Sequence, residues 1–380
     1  MEKLKRNVHF LIPTFLILLC VMEVGSSQLL FWYQWGNGQK NIWAPDQQDL
    51  LAYKKSKFPS ALASIYKTCL DSSRIPPQNN PTQPNVLGEK DQLFDDIHIV
   101  NKFHPLLGWQ LPMGNYRFLF TSTVNNQPKG HDWKCTIKAD GSRFCGDILK
   151  KGTKKVFLFG ESWTFGWGLD DCLTSGAFLQ SALHAKQIDV TLYANAGWGH
   201  MQALRNVNSI AQSDRNNPEN IYVVFYAQWM LPRNLPSPSV VNSLNNTTPT
   251  SWWESKPPCI PLWSKTSLDF ECLPANQWPT YATNPEPSFD RLVDVTEDIL
   301  STMGSRIKGR KAILIVDGPT DELVNRMGKK GWEIWDAREI KGMFQKDNLL
   351  PFDAHPGPLA NAYWAEIMSE KILGSAHKRH

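Results

Sequence analysis

The chain is short of several things at once. It has no Cys-x-x-Cys pair, no internal repeat, and no unbroken apolar run of the ~20 residues that a spanning helix needs. The first absence removes the ligand spacing of a structural zinc site. Neither a metal nor an organic cofactor is expected. The second excludes a repeat architecture. Charge of one sign is also scarce: 40 Lys and Arg stand against 36 Asp and Glu, a net +4 over 380 residues. A nucleic-acid partner calls for a clustered basic face, so none is expected.

What is present is ordinary for a globular chain with a sizeable core: 42% hydrophobic and 20% charged residues. The 16 tryptophans are a surplus. Indole rings stack on sugars and also fill cores, and the second use is the commoner.

The first residues read as a targeting segment. Lys3, Lys5 and Arg6 form a basic flank, residues 10–22 are largely apolar, and Gly25, Ser26 and Ser27 are small enough for cleavage. Residues 1–26 are expected to be a signal peptide or an N-terminal anchor, and the short apolar run favours cleavage. The protein is then exported, to a periplasm or the extracellular space. A membrane partner is expected only if residues 8–24 stay attached. Loss of the signal would remove Cys20 and leave Cys69, Cys135, Cys145, Cys172, Cys259 and Cys272. An even count in an oxidising compartment permits disulfides. Cys135 with Cys145, and Cys259 with Cys272, lie close enough in sequence to be local staples. Buried free thiols are the alternative, and spacing alone leaves the pairing open.

Residues 27–150 read as an irregular extension packed against the main domain. They carry Pro-rich stretches, a turn and short strand over 104–109, and a better strand over 116–123. From residue 151 the texture changes. Short apolar runs at 156–159, 190–194, 221–227 and 312–316 read as buried strands, and 332–335 as a fifth, edge strand. Helical spacing marks 174–185, 201–211, 289–307, 323–327 and 359–373. Strands alternating with helices imply a mostly parallel, flavodoxin-like sheet in a three-layer α/β/α sandwich. Sites in such sheets lie at the carboxyl ends of the strands. Between 232 and 288 the alternation stops in a Trp- and Pro-rich insertion holding Trp252, Trp253, Trp263 and Trp278. Either a lid or substrate platform, or a surface decoration, fits this composition.

The chemistry gathers at the strand ends. Gly160-Glu161-Ser162 follows the first buried strand and opens a helix, where unsatisfied N–H groups favour an anion. A serine there is exposed for attack, beside donors for the oxyanion it creates. Taken alone, the motif reads first as a capping serine. Asp353-Ala354-His355-Pro356 precedes the last helix. His355 can take the serine proton while Asp353 orients the ring. Alone, this is an ordinary turn. Asn195-Ala196-Gly197-Trp198-Gly199 follows the second strand, where glycines admit close approach to a ligand. Tyr226-Ala227-Gln228-Trp229 ends the third, with an amide able to donate. That all these pieces fall at one sheet edge carries more weight than any one of them.

With these residues in place, the chain resembles the SGNH (GDSL-type) hydrolases, especially their exported bacterial members. The resemblance spans residue 154 to the C-terminus, apart from the insertion. It implies that Ser162 is nucleophile and first oxyanion donor, that Gly197 (or Gly199, in the other alignment of that loop) is the second, and that Asp353 and His355 complete a triad. Glu161 stands where the family has Asp, Gln228 where it has Asn, and Trp229 where Asp commonly follows. The oxyanion hole is therefore rebuilt or weakened, with His200 and Asn234 as substitute donors. The activity implied is that of an exported serine esterase cutting an acyl ester, acetyl by first choice, on a carbohydrate or other small molecule. An O-acyltransferase on the same triad is one alternative. A non-catalytic binding or structural module on a degenerate SGNH fold is the other.

Overall fold

The computed structural model describes residues 101–124, 127–146, 154–247, 259–262, 272–274, 277–318, 321–338 and 355–374. All of them belong to one compact unit, Lys54–His380. The expected signal segment, Cys20, Cys69, Trp252, Trp253, Trp263 and Asp353 lie outside the described residues.

The centre is a sheet of five parallel strands: β5 (Lys154–Gly160), β6 (Ile188–Ala194), β7 (Ile221–Ala227), β10 (Arg310–Asp317) and β11 (Glu333–Asp336). Their order is β11-β10-β7-β5-β6. The chain thus steps from β5 outward to β6, returns across β5 to β7, and continues to the opposite edge. That is the doubly wound, flavodoxin-like order. Its switch point falls between β5 and β7, the crevice where such sheets bind ligands.

The strands read as continuous apolar runs because both sheet faces are covered. Phe157, Phe159, Tyr222, Val224, Ile313 and Ile315 share one core with Met201 and Leu204 of helix α3 (His200–Ser209) and with Ile299 and Met303 of helix α5 (Phe289–Ser305). Helix α6 (Asp321–Lys329) adds Leu323 and Met327 to the same layer. Their neighbours along the strands face the other way. Phe225 meets the ring of Trp364 edge-on at 5.7 Å. Trp364 lies on helix α7 (Pro358–Leu373), which packs against α2 (Ser175–Leu183). Each such aliphatic side chain withdrawn from water contributes ~1.5–3 kcal/mol.

The extension is more regular than its composition suggests. Strands β1 (Lys102–His104) and β2 (Gly108–Gln110) form a small antiparallel hairpin, and β3 (Gly114–Val124) and β4 (Gln127–Ile137) a long one. After β4 the chain turns, and Arg143 bridges to Leu192 of β6, its N–H donating to the Leu192 carbonyl at 2.9 Å. The open edge at β6 is thereby partly covered, which is how folded sheets avoid pairing with strangers.

The insertion holds helix α4 (Pro238–Thr247) and two short paired strands, β8 (Cys259–Pro261) and β9 (Cys272–Pro274). Val241, Ile260, Leu273 and Trp278 make a core of their own. Cys259 and Cys272 are disulfide-bonded, with Cα atoms 5.4 Å apart. Cys172 is also disulfide-bonded. The second expected staple is absent: Cys135 and Cys145 are buried free thiols. Burial among packed side chains holds both in the neutral form, pushing the Cys145 thiol up to about 12. Among the described residues no helix is long and apolar enough to cross a membrane.

His200 and Asn234 serve this fold and not the oxyanion. Both are fully buried. The Asn234 Oδ1 accepts the His200 N–H at 2.7 Å, and its Nδ2 donates to His200 Nδ1 at 2.9 Å and to Thr296 Oγ1 at 2.7 Å. Burial lowers the His200 pKa to about 4. The imidazole is therefore neutral when folded but titrates near 6.5 when unfolded. Its contribution is complete above pH 6.5 and is lost as pH falls towards 4, by roughly 3 kcal/mol in all. In denaturant unfolding, the stability advantage of wild type over His200→Gln should shrink by about that amount between pH 7 and pH 4. An advantage independent of pH would refute this assignment.

Candidate active site

Ser162 is the first residue of helix α1 (Ser162–Phe165), which follows β5 after one intervening residue, Glu161. The turn is tight. A Cβ on Gly160 would stand 1.8 Å from Thr164 Oγ1, so only glycine lets the strand run into the helix. Glu161 caps α1: its Oε1 accepts the Trp163 N–H at 2.8 Å. Its Oε2 accepts the Ser162 hydroxyl and takes Arg233 Nη1 at 3.4 Å. Glu161 is buried, and these three donors compensate its carboxylate.

His355 Nε2 lies 2.9 Å from Ser162 Oγ, across 193 residues of sequence. The hydroxyl therefore has two acceptors within reach, His355 Nε2 and Glu161 Oε2. The imidazole stacks on Trp167 at 5.7 Å between ring centroids. Its loop is tied down by Asn361 of α7. That buried amide donates to the carbonyls of Pro356 at 3.3 Å and Gly357 at 3.1 Å, and its Oδ1 accepts the Ser175 N–H at the start of α2.

Trp167 belongs to a turn held from below. The Arg143 guanidinium is fully buried, and it donates to the carbonyls of Phe165, Gly166 and Leu169, and to that of Lys134 at 3.3 Å. It pairs with Asp171 at 2.9 Å and stacks over the Phe165 ring at 4.6 Å. Helix α1 is too short to satisfy its own final carbonyls. Arg143 does so instead.

The glycine loop follows β6, the strand paired with β5. Gly197 has φ +76, which favours glycine. Among the described residues, neither the Ser162 nor the Gly197 N–H has an acceptor. The Gly199 N–H differs, being spent on Gln202 Oε1 at 2.9 Å in the cap of α3. Gln228 stands at the end of β7, and its side chain packs against Gly318 at the end of β10. Trp229 lies 5.2 Å from Trp163, and Arg233 stacks over Trp229 at 4.8 Å. Three partly exposed groups, Trp163, Trp229 and Arg233, thus gather beside the serine. The structure brings Ser162 and His355 into contact, and Asp353 lies outside the described residues. Arg143, Arg233 and Asn361 escaped sequence reasoning. None falls in a recognisable motif, and their partners are backbone groups or distant in sequence. No group of His, Cys, Asp or Glu suited to a metal ion occurs among the described residues.

No family model and no curated protein matches this chain. Among solved structures, a member of the lipolytic protein G-D-S-L family from Veillonella parvula is similar at 10% identity, covering 60% of this chain and 100% of that one, with a TM-score of 0.33. A carbohydrate esterase family 2 enzyme with a carbohydrate binding domain, from Corynascus (Myceliophthora fergusii), is similar at 12% identity, covering 63% and 74%, with a TM-score of 0.35. The acetyl xylan esterase Est2A of the rumen bacterium Butyrivibrio proteoclasticus is similar at 10% identity, covering 60% and 65%, also at 0.35. Scores of this size carry no argument about activity, which rests on the residues of the site themselves.

Arg143→Met should destabilise the protein by about 3–5 kcal/mol, because Asp171 and four carbonyls lose their buried partner. Chemical denaturation checks this. A loss under 1 kcal/mol would mean that the guanidinium is not the support described.

Proposed function

We propose that the chain is a serine esterase of the SGNH type, and the observation that carries this is the 2.9 Å contact between His355 Nε2 and Ser162 Oγ at the sheet's switch point. A base within hydrogen-bond reach of a serine at a strand-to-helix turn is the arrangement that nucleophilic catalysis requires. Ser162 Oγ attacks the acyl carbon, and its proton passes to His355 Nε2. Asp353 holds the ring with its other proton on Nδ1. The carbonyl π electrons move to oxygen, and the Ser162 and Gly197 amides receive that oxyanion. Collapse expels the alcohol, which leaves with the proton from His355. Water then repeats the sequence on the acyl-enzyme and frees the acid.

The unspent amides of Ser162 and Gly197 support this choice of donors over Gly199, whose N–H is already engaged. Gln228 is the third member of the hole in this reading, and it must turn from Gly318 to reach the oxyanion. The hole therefore leans on its two backbone donors.

The substrate in this reading is an acylated carbohydrate, with acetyl the favoured acyl group. The aromatic faces of Trp163 and Trp229 beside Ser162 support it, since sugars stack on such faces. Export to an oxidising compartment, periplasmic or extracellular, accords with the disulfides at Cys172 and between Cys259 and Cys272.

A fluorophosphonate probe should label the wild type stoichiometrically at Ser162 and leave Ser162→Ala untouched. Ser162→Ala and His355→Ala should each lower kcat by about 10⁴-fold or more. Folded protein that takes no label would sink the esterase reading. Acetylated glycans should be cleaved in preference to long-chain p-nitrophenyl esters, and the reverse order would replace the sugar substrate with a lipid-like one. Gln228→Ala should cost less than about tenfold in kcat, against the 10²–10³ of a fully engaged donor.

A further inference from the structure

The glycine loop after β6 has an exposed problem. β6 is an edge strand, so its following loop has a sheet neighbour on one side only. Loops with few packed neighbours open easily. Yet a proposed oxyanion donor must be held to a fraction of an ångström, because preorganisation is what makes such a donor effective.

The β1–β2 hairpin supplies the missing side. Trp109 of β2 and Trp198 of the loop are both buried, 5% and 1% exposed, and bond reciprocally. Trp109 Nε1 donates to the Ala196 carbonyl at 2.9 Å, and Trp198 Nε1 donates to the Trp109 carbonyl at 3.0 Å. Asn195 Nδ2 donates to Asn101 Oδ1 at 2.8 Å, and Gln202 Nε2 to the Leu107 carbonyl at 3.4 Å. Arg205 Nη1 donates to the Leu106 carbonyl. Leu107, Trp109 and Trp198 form a cluster separate from the cores on the sheet. The indole of Trp109 lies against Gly197 itself: a Cβ there would meet Trp109 Cζ2 at 3.3 Å. The hairpin is rigid in turn, since His104 Nδ1 accepts the N–H groups of Leu106 and Leu107, both at 3.2 Å.

We infer that Trp109 is a positioning residue for the reaction, acting through the Ala196–Gly197 backbone to fix the Gly197 N–H. This makes the extension part of the catalytic apparatus. The inference rests on the esterase reading for its catalytic consequence, while the clamp itself stands on geometry alone.

Trp109→Phe keeps an aromatic ring on Gly197 and deletes the bond to Ala196. Trp109→Leu removes both. Trp198→Phe, which deletes the opposite bond, serves as a second entry to the same clamp should a Trp109 variant fold poorly. Two readouts are taken on variants whose thermal midpoint shows a folded domain. One is amide hydrogen exchange of peptides covering residues 195–199. The other is steady-state hydrolysis of an acetyl ester. We expect faster exchange confined to that loop, with kcat lowered about tenfold in Trp109→Phe and further in Trp109→Leu, and KM held within about twofold. Wild-type exchange in the loop would overturn the clamp. Faster exchange with unchanged kcat would overturn the positioning role, as would a rise in KM alone. A wild type that neither turns over nor takes a fluorophosphonate label would sink the esterase reading and the positioning role with it, and the exchange data would still decide the clamp.

Discussion

A single buried guanidinium underlies the geometry around Ser162. Arg143 is closed to water, yet it faces four carbonyls, one carboxylate and two aromatic rings. It is needed because α1 lasts only four residues and then unwinds through a turn whose carbonyls have no helical partner. One arginine satisfies them together, where a buried carbonyl left unpaired costs ~1–3 kcal/mol. The turn carries Trp167, on which His355 stacks, and its Trp167 N–H bonds the Ser162 carbonyl at 2.9 Å. Ser162 and the His355 imidazole thus share one foundation, supplied from a segment that precedes the first strand of the sheet.

The same logic recurs on the other side of the site. The sheet provides strand ends, but strand ends only bring backbone near. Each loop is finished by a side chain of another element: the His355 loop by Asn361 of the helix that follows it, Glu161 by Arg233, the glycine loop by Trp109. Arg233 also reaches the Trp198 carbonyl at 3.5 Å, so the segment after β7 touches both the cap of α1 and the glycine loop. Stiffness of this kind is what the proposed reaction requires, since donors fixed in advance meet developing charge without rearranging.

The sheet was legible in the sequence because burial on both faces leaves a run of apolar residues that little else explains. Residues 221–227 read as a strand with their observed limits, and 332–335 fell at the sheet edge as expected. Ser162 and His355 were legible as parts of motifs in which short spacing carries the chemistry. Arg143 was not. Most of its partners lie 22 to 28 residues away in sequence, and a lone arginine in a segment read as irregular has no signature. Trp109 and Trp198 were hidden for a similar reason: either indole alone is one of sixteen, and only their mutual bonding distinguishes them. Cys135 and Cys145 misled by proximity, since ten residues of separation permit a bond without requiring one.

Those two thiols have a use beyond their failure to pair. Cys135 is 1% and Cys145 4% exposed, and neither ionises at ordinary pH. A thiol that is both covered and neutral is a poor nucleophile. It cannot trade partners with the disulfides at Cys172 or Cys259–Cys272 while the fold is intact. Whichever bonds close after the long hairpin has packed are chosen from a smaller set of cysteines, and the pairing is protected by burial instead of by the count of thiols.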